Sequence, residues 1–346
     1  MSQAPRAYGV APATGAIRTE PEDFLVEEHL DLEPDGAGEH LLMLVEKRSA
    51  NTHWVARTLA DFAGVSRNDV GYAGAKDRHA VARQWFSLPL GSRPDPDWTR
   101  LDAPGVRVLS AARHRRKLRR GAHSGNAFRL RVRGLTGDTA ALAERLHTIA
   151  VRGAPNYFGP QRYGRDNLQA ARDLGEGARL PRVQRGFALS AARSHLFDAV
   201  LATRVDDGTW NRLLAGDAAN LAGSGSWFVV EALDATLTAR AEQLDLHPTG
   251  PLWGRGEPGS TGEVRARERA IVAEHGELVR ILEAAGMEQA RRALRVVPAG
   301  LAWEIARDEL VLSFELPPGA YATTLLRELI DIEDRGGSGA ADHEAC

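Results

Sequence analysis

The chain has 346 residues, which suffices for one large or two medium domains, and its 43% hydrophobic and 26% charged content is ordinary for a soluble globular protein. It has no run of about 18 apolar residues, residues 1–14 lack the pattern of a signal peptide, and the one cysteine is Cys346. These properties argue against a membrane-spanning helix, an internal disulfide framework and a thiolate metal site, and they predict a cytoplasmic protein.

The formal net charge of −2 is spread unevenly along the chain. Residues 100–170 carry 15 Lys and Arg against four Asp and Glu, a balance of +11, so the rest of the chain carries −13. Six cations lie within residues 113–120 (RHRRKLRR) alone. A solvated basic loop is one interpretation, but self-repulsion in so dense a run favours a polyanionic partner, since several phosphates would neutralise it.

The first half of the chain has the pattern of an α+β domain. Residues 23–28 and 40–46 alternate weakly between apolar and polar side chains, as strands do, and a helix is expected to begin near Asn51 or Thr52. Four side chains supply the predicted apolar face of that helix: Trp54, Val55, Leu59 and Phe62.

The most informative segment follows that helix, at residues 71–84 (GYAGAKDRHAVARQ). Gly71 and Gly74 predict a sharply bent backbone that neighbours can approach closely. Cations flank Asp77 on both sides, and they favour the ionised carboxylate that a nucleophile or a general base requires. A surface turn with a salt bridge is the alternative. Lys76 is unusual in this chain, which has only three lysines among its 44 Lys and Arg residues and otherwise uses arginine.

Two further strands are predicted before residue 153, at residues 85–88 and 126–132. In the second of them the side chains alternate between apolar residues and arginines. Alternation places Phe128, Leu130 and Val132 on one face of that strand and the arginines on the other face, where we expect them to meet solvent or RNA.

Beyond residue 153 the sequence indicates a second domain, in which predicted helices predominate. Helices are predicted at residues 189–205, 230–244 and 264–285, with glycine-rich breaks at residues 223–225 and 250–262. Strands return at residues 301–305 and 310–316, followed by a short helix at residues 321–330. The end of the chain is rich in Gly, Ala and acidic residues, a composition typical of disorder.

Residues 71–84 resemble the signature of the TruD family of tRNA pseudouridine synthases, which runs roughly G-x-A-G-x-K-D-[RK]-x-A-V-x-x-Q. Six other segments resemble the same family in the same order: residues 21–24 (PEDF), 113–120, 125–128 (GNAF), 155–159 (PNYFG), 189–194 (LSAARS) and 316–323 (LPPGAYAT). The resemblance therefore spans about the whole chain, whereas an isolated short motif has a high risk of a false match.

The resemblance implies an α+β fold. It consists of a pseudouridine-synthase catalytic domain, with a mixed or antiparallel sheet and helices, that carries an inserted and largely helical TruD-specific domain. On this plan residues 1–152 and 300–332 form the two parts of the catalytic domain, residues 153–299 form the insertion, and residues 333–346 form a disordered tail.

The resemblance also implies the activity. Members of the family isomerise uridine to pseudouridine, typically at position 13 in the D arm of tRNA, as monomers and with a catalytic aspartate that Asp77 matches. The reaction detaches the base from C1′ at N1 and rejoins it through C5 without a change in atoms or redox state. We therefore expect tRNA as the partner and neither a cofactor nor a metal. Whether Asp77 attacks C1′, adds to the base or removes a sugar proton stays open.

Further site residues follow from the same resemblance. Arg18 matches a basic residue that pairs with the catalytic aspartate, and Lys76 supports it. Phe24 and Tyr321 match aromatic residues of the substrate pocket, although the family often has Phe where this chain has Tyr321.

Asn126 and Phe128 lie two residues apart on a predicted strand, so both side chains should point to the same face. There one can hydrogen-bond the edge of a uracil while the other stacks on its ring. Stacking contributes about 1–3 kcal/mol per base, which helps to offset the few kcal/mol needed to extrude a nucleotide.

The basic run is expected to contact the RNA backbone through six side chains: Arg113, Arg115, Arg116, Lys117, Arg119 and Arg120. A catalytically silent RNA-binding protein would share this run, but it would not need Asp77 together with Lys76, Asn126 and Phe128. An enzyme for an unrelated phosphate ligand is disfavoured, because the chain has no complete phosphate loop or dinucleotide fingerprint: Asp77 stands where a Walker A loop requires Ser or Thr.

Overall fold

The computed structural model describes residues 4–164 and 166–337. Its strands, in chain order, are β1 (Ala13–Ile17), β2 (Phe24–His29), β3 (His40–Arg48), β4 (Gly71–Tyr72), β5 (Val81–Pro89), β6 (Val106–His114), β7 (Gly125–Gly137), β8 (Ala154–Pro155), β9 (Ala218–Leu221), β10 (Trp227–Val229), β11 (Leu246–Leu252), β12 (Ala290–Ala293), β13 (Arg295–Val296), β14 (Ala299–Ala306), β15 (Glu309–Leu316) and β16 (Ile330–Asp334). Its α-helices are α1 (Thr52–Ala63), α2 (Thr139–Arg152), α3 (Pro160–Tyr163), α4 (Asn167–Gly175), α5 (Arg182–Asp206), α6 (Ala235–Glu242), α7 (Gly262–Ala273), α8 (Gly276–Ala284) and α9 (Ala322–Leu329).

These elements form two compact units. The sheet unit comprises residues 12–139, 298–319 and 330–337, and the helical unit comprises the described residues within 4–11, 140–297 and 320–329. The helical unit thus extends beyond the predicted insertion, residues 153–299. The predicted bounds describe the catalytic domain and its insertion, whereas these units describe only which residues pack together. The bounds therefore stay a prediction. In the described part of the chain, no helix is long and apolar enough to cross a membrane.

A mixed sheet forms the centre of the sheet unit, with the strand order β14-β15-β7-β2-β5-β3-β6. Most neighbours along it are antiparallel, whereas β2 and β5 are parallel, as are β1 and β16 beside this path. The long strand β7 pairs with β1, β2 and β15, so strands from both ends of the chain meet on it. The predicted α+β fold with a mixed sheet is confirmed.

Helix α1 packs its apolar side against β3 and β5. Its start is confirmed as predicted: the Asn51 side chain accepts a hydrogen bond from the backbone N–H of His53 at 2.8 Å and so caps the helix. Val55 and Leu59 are fully buried in the resulting core, which includes Phe86 of β5.

Two of the four side chains predicted for the apolar face of α1 lie elsewhere. Trp54 is 41% exposed and Phe62 is 36% exposed. Phe62 packs on Trp98 at the edge of the core, with ring centroids 5.3 Å apart. The prediction was wrong for Trp54 and Phe62 because a helix on a sheet buries only the stripe that faces it, and hydrophobicity alone overstates the width of that stripe.

The arginines of β7 face carboxylates. Arg133 Nη2 lies 2.8 Å from Asp23 Oδ1 and 3.1 Å from Glu20 Oε2, and Arg131 Nη1 lies 3.7 Å from Glu309 Oε2. Arg129 is exposed, and the Arg131 and Arg133 side chains are 41% and 31% exposed, so the expectation that this face meets solvent is confirmed, although the last two arginines also pair with acids. The acids come from segments that neighbour β7 only in the folded sheet, where opposite charges on adjacent strands attract.

The helical unit is built around α5. Its apolar side chains pack against α4, α7 and α8, in a core that includes Ala171, Leu196, Val272 and Leu282. The unit also contains a four-stranded sheet of order β10-β9-β11-β12 and the pair β13-β8.

The secondary structure of this unit departs from prediction in three places. Strand β11 runs into the glycine-rich break expected from residue 250, and six of its seven residues are buried, so burial outweighs the poor strand propensity of Gly and Pro. The single helix expected at residues 264–285 is two helices, α7 and α8. The helix expected from residue 230 begins only at Ala235, after Asp234, whose side chain accepts a hydrogen bond from Leu237 N.

The last described residues of the sheet unit correct one further expectation. The disordered tail was expected from residue 333, yet Glu333 and Asp334 belong to β16 and pair in parallel with β1. Strand pairing orders these residues, and composition alone does not reveal it. The rest of the predicted tail from residue 338 onward lies outside the described residues.

Candidate active site

Residues 73–80 join β4 to β5 and carry Asp77. The segment is placed by Gly71 of β4, where a Cβ would collide with Leu118 O and Ser87 Oγ. Leu118 N also donates a hydrogen bond to Ser87 Oγ at 2.8 Å. The close approach of the basic run to β4 therefore requires glycine at position 71.

Gly74 has open surroundings, because a Cβ there would meet His123 Cε1 at an ordinary 3.8 Å. The predicted close approach is confirmed at Gly71 and wrong at Gly74. We expect Gly71→Ala to lower the free energy of unfolding by about 1–3 kcal/mol through overpacking, and Gly74→Ala to change it by less than about 0.5 kcal/mol. Chemical denaturation of both variants measures the difference, and equal effects would contradict this account of Gly71.

The carboxylate of Asp77 is held through one oxygen. Arg18 Nη2 donates a hydrogen bond to Asp77 Oδ2 at 2.8 Å, and Arg18 Nη1 donates to Asp334 Oδ2 at 2.6 Å. The predicted pairing of Arg18 with Asp77 is thus present. The Asp77 side chain is 35% exposed, and among residues 4–164 and 166–337 no hydrogen bond to its Oδ1 is seen. That oxygen is available to act as a nucleophile or base.

Phe24 supports Arg18. The guanidinium lies over the Phe24 ring, 4.3 Å from its centroid, and Phe128 contacts the ring from another side, with centroids 6.2 Å apart. Only 2% of the Phe24 surface is exposed. Phe24 is thus a platform for the cation that holds Asp77, and its role in the substrate pocket stays a prediction.

Lys76 points into the protein, although it is the neighbour of Asp77. Its Nζ lies 2.6 Å from Glu28 Oε1 and donates a hydrogen bond to Asn126 Oδ1 at 2.6 Å. Glu28 of β2 stands opposite Asn126 of β7 in the sheet, so one ammonium bridges the two strands. Lys76 therefore neutralises a buried acid and orients an amide beside the catalytic candidate.

Asn126 and Phe128 lie on the same face of β7, as alternation predicts: Asn126 contacts Lys76, and Phe128 packs against Phe24 and Phe314. Because an ammonium can only donate, it must face the Asn126 oxygen, which leaves Nδ2 as the donor directed away from Lys76. The site thus presents an oriented amide donor next to a half-buried aromatic ring.

A second set of buried polar side chains holds the loop from behind. Thr52 Oγ1 accepts a hydrogen bond from Lys76 N at 3.0 Å and donates one to Gln84 Oε1 at 3.0 Å, while Gln84 Nε2 donates to Gly74 O. None of this set was predicted as a site residue. The only signal in the sequence was that Gln84 closes the family signature.

Lys47 is a further site residue that the sequence analysis missed. Its Nζ donates hydrogen bonds to Asp77 O at 2.6 Å and to Ala50 O at 2.8 Å. Burial lowers the pKa of Lys47 to about 8, although the charge of Asp77 acts in the opposite direction. The rarity of lysine in the chain was the one available signal.

The basic run has a structural and an exposed part. Arg113 Nε donates a hydrogen bond to Asp95 Oδ1 at 2.6 Å, Nη1 donates to Gly91 O at 2.8 Å, and Nη2 donates to Arg93 O. These contacts give Arg113 a structural role, and its contact with the RNA backbone stays a prediction. The other five predicted cations are exposed: Arg115, Arg116, Lys117, Arg119 and Arg120.

Arg120 connects this exposed surface to the segment that precedes Asp77. Its guanidinium stacks on Tyr72 of β4 at 3.8 Å from the ring centroid, and Nη2 donates a hydrogen bond to the Tyr72 hydroxyl at 2.5 Å. Gly121 N donates to Ala73 O at 2.8 Å. The basic run is thus attached to the strand and loop that carry the candidate carboxylate.

Tyr321 belongs to the helical unit, directly before α9. Its ring packs on Phe158, with centroids 6.1 Å apart, and against Gly159, where a Cβ would collide with it. Phe158 N donates a hydrogen bond to Asp198, and burial raises the pKa of Asp198 to about 7. These contacts fix the ring within its unit, and its predicted pocket role stays a prediction.

The chain is similar to known proteins over nearly its whole length. The family model for tRNA pseudouridine synthase D (TruD) matches residues 5–176 and 168–329. The tRNA pseudouridine synthase D of Methylococcus capsulatus is 47% identical over 337 residues, which cover 96% of this chain and 95% of that protein. That of Pseudomonas syringae pv. tomato is 47% identical over 333 residues, covering 95% and 94%. The crystal structure of a Methanosarcina mazei protein assigned to TruD has the same fold, with a TM-score of 0.70 at 22% identity over 94% of this chain and 95% of that one.

Proposed function

Because the chain belongs to the TruD family of tRNA pseudouridine synthases, we propose that it uses Asp77 to isomerise the uridine at position 13, in the D arm of tRNA. The family isomerises uridine to pseudouridine in tRNA, and the chain is accordingly an isomerase. The position in the tRNA and the roles of the individual residues are the proposed part. The observation that carries them is the geometry of Asp77: Arg18 holds Oδ2, and no residue in the described part of the chain donates a hydrogen bond to Oδ1.

The chemistry fits a carboxylate in this setting. The bond between C1′ and N1 breaks, the uracil rotates, a bond forms between C1′ and C5, and the proton of C5 is replaced by one on N1. An ionised Asp77 serves attack on C1′, addition to the base or removal of a sugar proton equally well. Arg18 places its positive charge beside this carboxylate, with Nη2 at 2.8 Å from Oδ2.

Asn126 and Phe128 are suited to hold the detached base while it turns. The Nδ2 group of Asn126, directed away from Lys76, can donate a hydrogen bond to a uracil carbonyl, and the exposed part of Phe128 can contact the ring. Both contacts tolerate rotation of the base better than a rigid set of several hydrogen bonds would.

Mapping of pseudouridine on an unmodified tRNA transcript tests the proposal. After incubation with the protein, carbodiimide labels pseudouridine and stops primer extension. We expect a stop that reports position 13, and none without protein. A stop at another position would show that the protein modifies a different uridine of the tRNA. No stop on any tRNA transcript would argue for an RNA-binding protein without this activity.

The exposed basic run should supply much of the affinity for tRNA. Each cation that contacts a phosphate contributes about 0.7–0.9 to the slope of log K against log salt concentration. We expect Arg116→Gln combined with Arg119→Gln to weaken tRNA binding and to reduce that slope by about 1.5. Binding measured at several salt concentrations checks this result. Arg107→Gln is the control, because Arg107 is exposed on β6 and paired with Glu46; a slope reduced equally by the control would contradict a specific role for the run.

We also propose that the protein acts as a monomer in the cytoplasm, where its tRNA substrate is processed. Light scattering should then give a mass near 37.5 kDa, and twice that mass would contradict a monomer.

A further inference from the structure

Lys47 is one of three lysines in the chain, and its side chain is completely buried. Lysine is rarely buried to this extent, since taking an ammonium out of water is costly unless hydrogen bonds and charges compensate. In the part of the chain that the structure describes, no carboxylate lies within ion-pair distance of Lys47. Its ammonium donates hydrogen bonds to backbone carbonyls instead. We therefore look for the role of this buried charge in the main-chain segments that those carbonyls belong to.

The two carbonyls belong to different segments. Ala50 O, at 2.8 Å from Nζ, precedes the cap of α1, and Asp77 O, at 2.6 Å, lies in the loop between β4 and β5. Lys47 itself is in β3, whose neighbouring residues form part of the core with α1. The lysine therefore ties a loop without regular secondary structure to the strand and helix that form a core of the sheet unit.

Asp77 is consequently held at two points. Arg18 holds Oδ2 of the carboxylate, and Lys47 holds the main-chain carbonyl. With Arg18 alone, the main chain of the loop could shift while the ion pair stayed intact, because rotation about the side-chain bonds of Asp77 can compensate. The hydrogen bond from Lys47 to Asp77 O prevents this shift of the main chain and fixes the direction in which Oδ1 faces.

We propose that Lys47 is a positioning residue for the isomerisation, which holds the main chain at Asp77 so that Oδ1 stays aligned with the bound uridine. This inference rests on the proposed role of Asp77. Misplacement of a reacting group by about 1 Å can lower a rate by about 10²-fold without affecting binding elsewhere. The expected signature of losing Lys47 is therefore a lower rate at saturating tRNA with unchanged affinity.

Lys47→Met tests the inference, with Arg48→Met as the matched control. Arg48 is the next residue in β3, and its exposed side chain pairs with Glu22. Three quantities are measured for each variant: the single-turnover rate constant at saturating tRNA, the dissociation constant of tRNA, and the folded fraction at the assay temperature. We expect the rate constant of Lys47→Met per folded molecule to fall by about 30- to 100-fold, with a dissociation constant within about two-fold of wild type. Arg48→Met should keep both quantities within about two-fold.

A rate constant of Lys47→Met within two-fold of wild type, however low its thermal stability, would overturn the inference and leave Lys47 as a buried structural lysine. A loss that appears in the tRNA affinity and not in the rate would also overturn it. If Lys47→Met does not fold, Lys47→Leu, which also has no N–H donor, is judged by the same criteria. A wild-type protein that forms no pseudouridine contradicts the proposed function, whereas an active wild type with an equally active Lys47 variant contradicts the role of Lys47 alone.

Discussion

Asp77→Asn is expected to lower the rate of pseudouridine formation by more than about 10³-fold, with tRNA affinity within about two-fold of wild type. Asparagine has the shape of aspartate, but its amide lacks the charge and the nucleophilic or basic oxygen that every route to pseudouridine requires. Affinity should persist because it depends mainly on the exposed cations of the basic run, which the substitution does not touch. Single-turnover assays at saturating tRNA, together with binding measurements, separate the two effects.

Asp334→Asn is the matched control. Asp334 accepts a hydrogen bond from the same guanidinium, with Oδ2 at 2.6 Å from Arg18 Nη1. This variant therefore removes one negative charge from the surroundings of Arg18, as Asp77→Asn does, and it leaves Asp77 in place. We expect its rate to fall by less than about ten-fold. Losses of the same size in the two variants would show that Arg18 needs two acids, and they would argue against a unique role for Asp77.

Lys76→Met is expected to lower the free energy of unfolding by about 3–5 kcal/mol and to reduce activity strongly. The Glu28 side chain has no exposed surface, and the Lys76 side chain is 7% exposed. Removal of Lys76 would leave the Glu28 carboxylate buried without its cation, and it would leave Asn126 Oδ1 without its donor. Chemical denaturation and single-turnover assays measure the two losses.

The combination of Lys76→Met with Glu28→Gln distinguishes stability from chemistry. Glutamine keeps an acceptor for Trp85 N, which donates a hydrogen bond to Glu28 Oε2 at 3.1 Å, and it removes the buried charge. We expect the double variant to regain most of the lost stability but not the activity, because Asn126 still lacks its orienting donor. Activity that returns together with stability would show that Lys76 serves only to neutralise Glu28.

The sequence by itself determined the features that depend on local spacing. It indicated the start of α1 at the Asn51 cap, since capping involves residues two or three positions apart. It placed Asn126 and Phe128 on one face, since strand alternation has a period of two. The motif at residues 71–84 singled out Asp77 and the close approach at Gly71, because a cluster of this kind lies within one short segment.

Only the tertiary structure decided which distant residues meet. Lys47 and Asp77 are 30 positions apart, and their contact depends on how the loop before β5 folds back on the end of β3. Lys76 bridges Glu28 and Asn126 because β2 and β7 pair in one particular register. Arg113 donates hydrogen bonds to acceptors within the protein, and Arg18 covers the Phe24 ring. These contacts also join residues that are distant in sequence. Periodicity and propensity describe one element at a time, whereas strand register and loop packing set the partners of each polar group. Those partners decide whether a cation or an aromatic ring remains free for RNA.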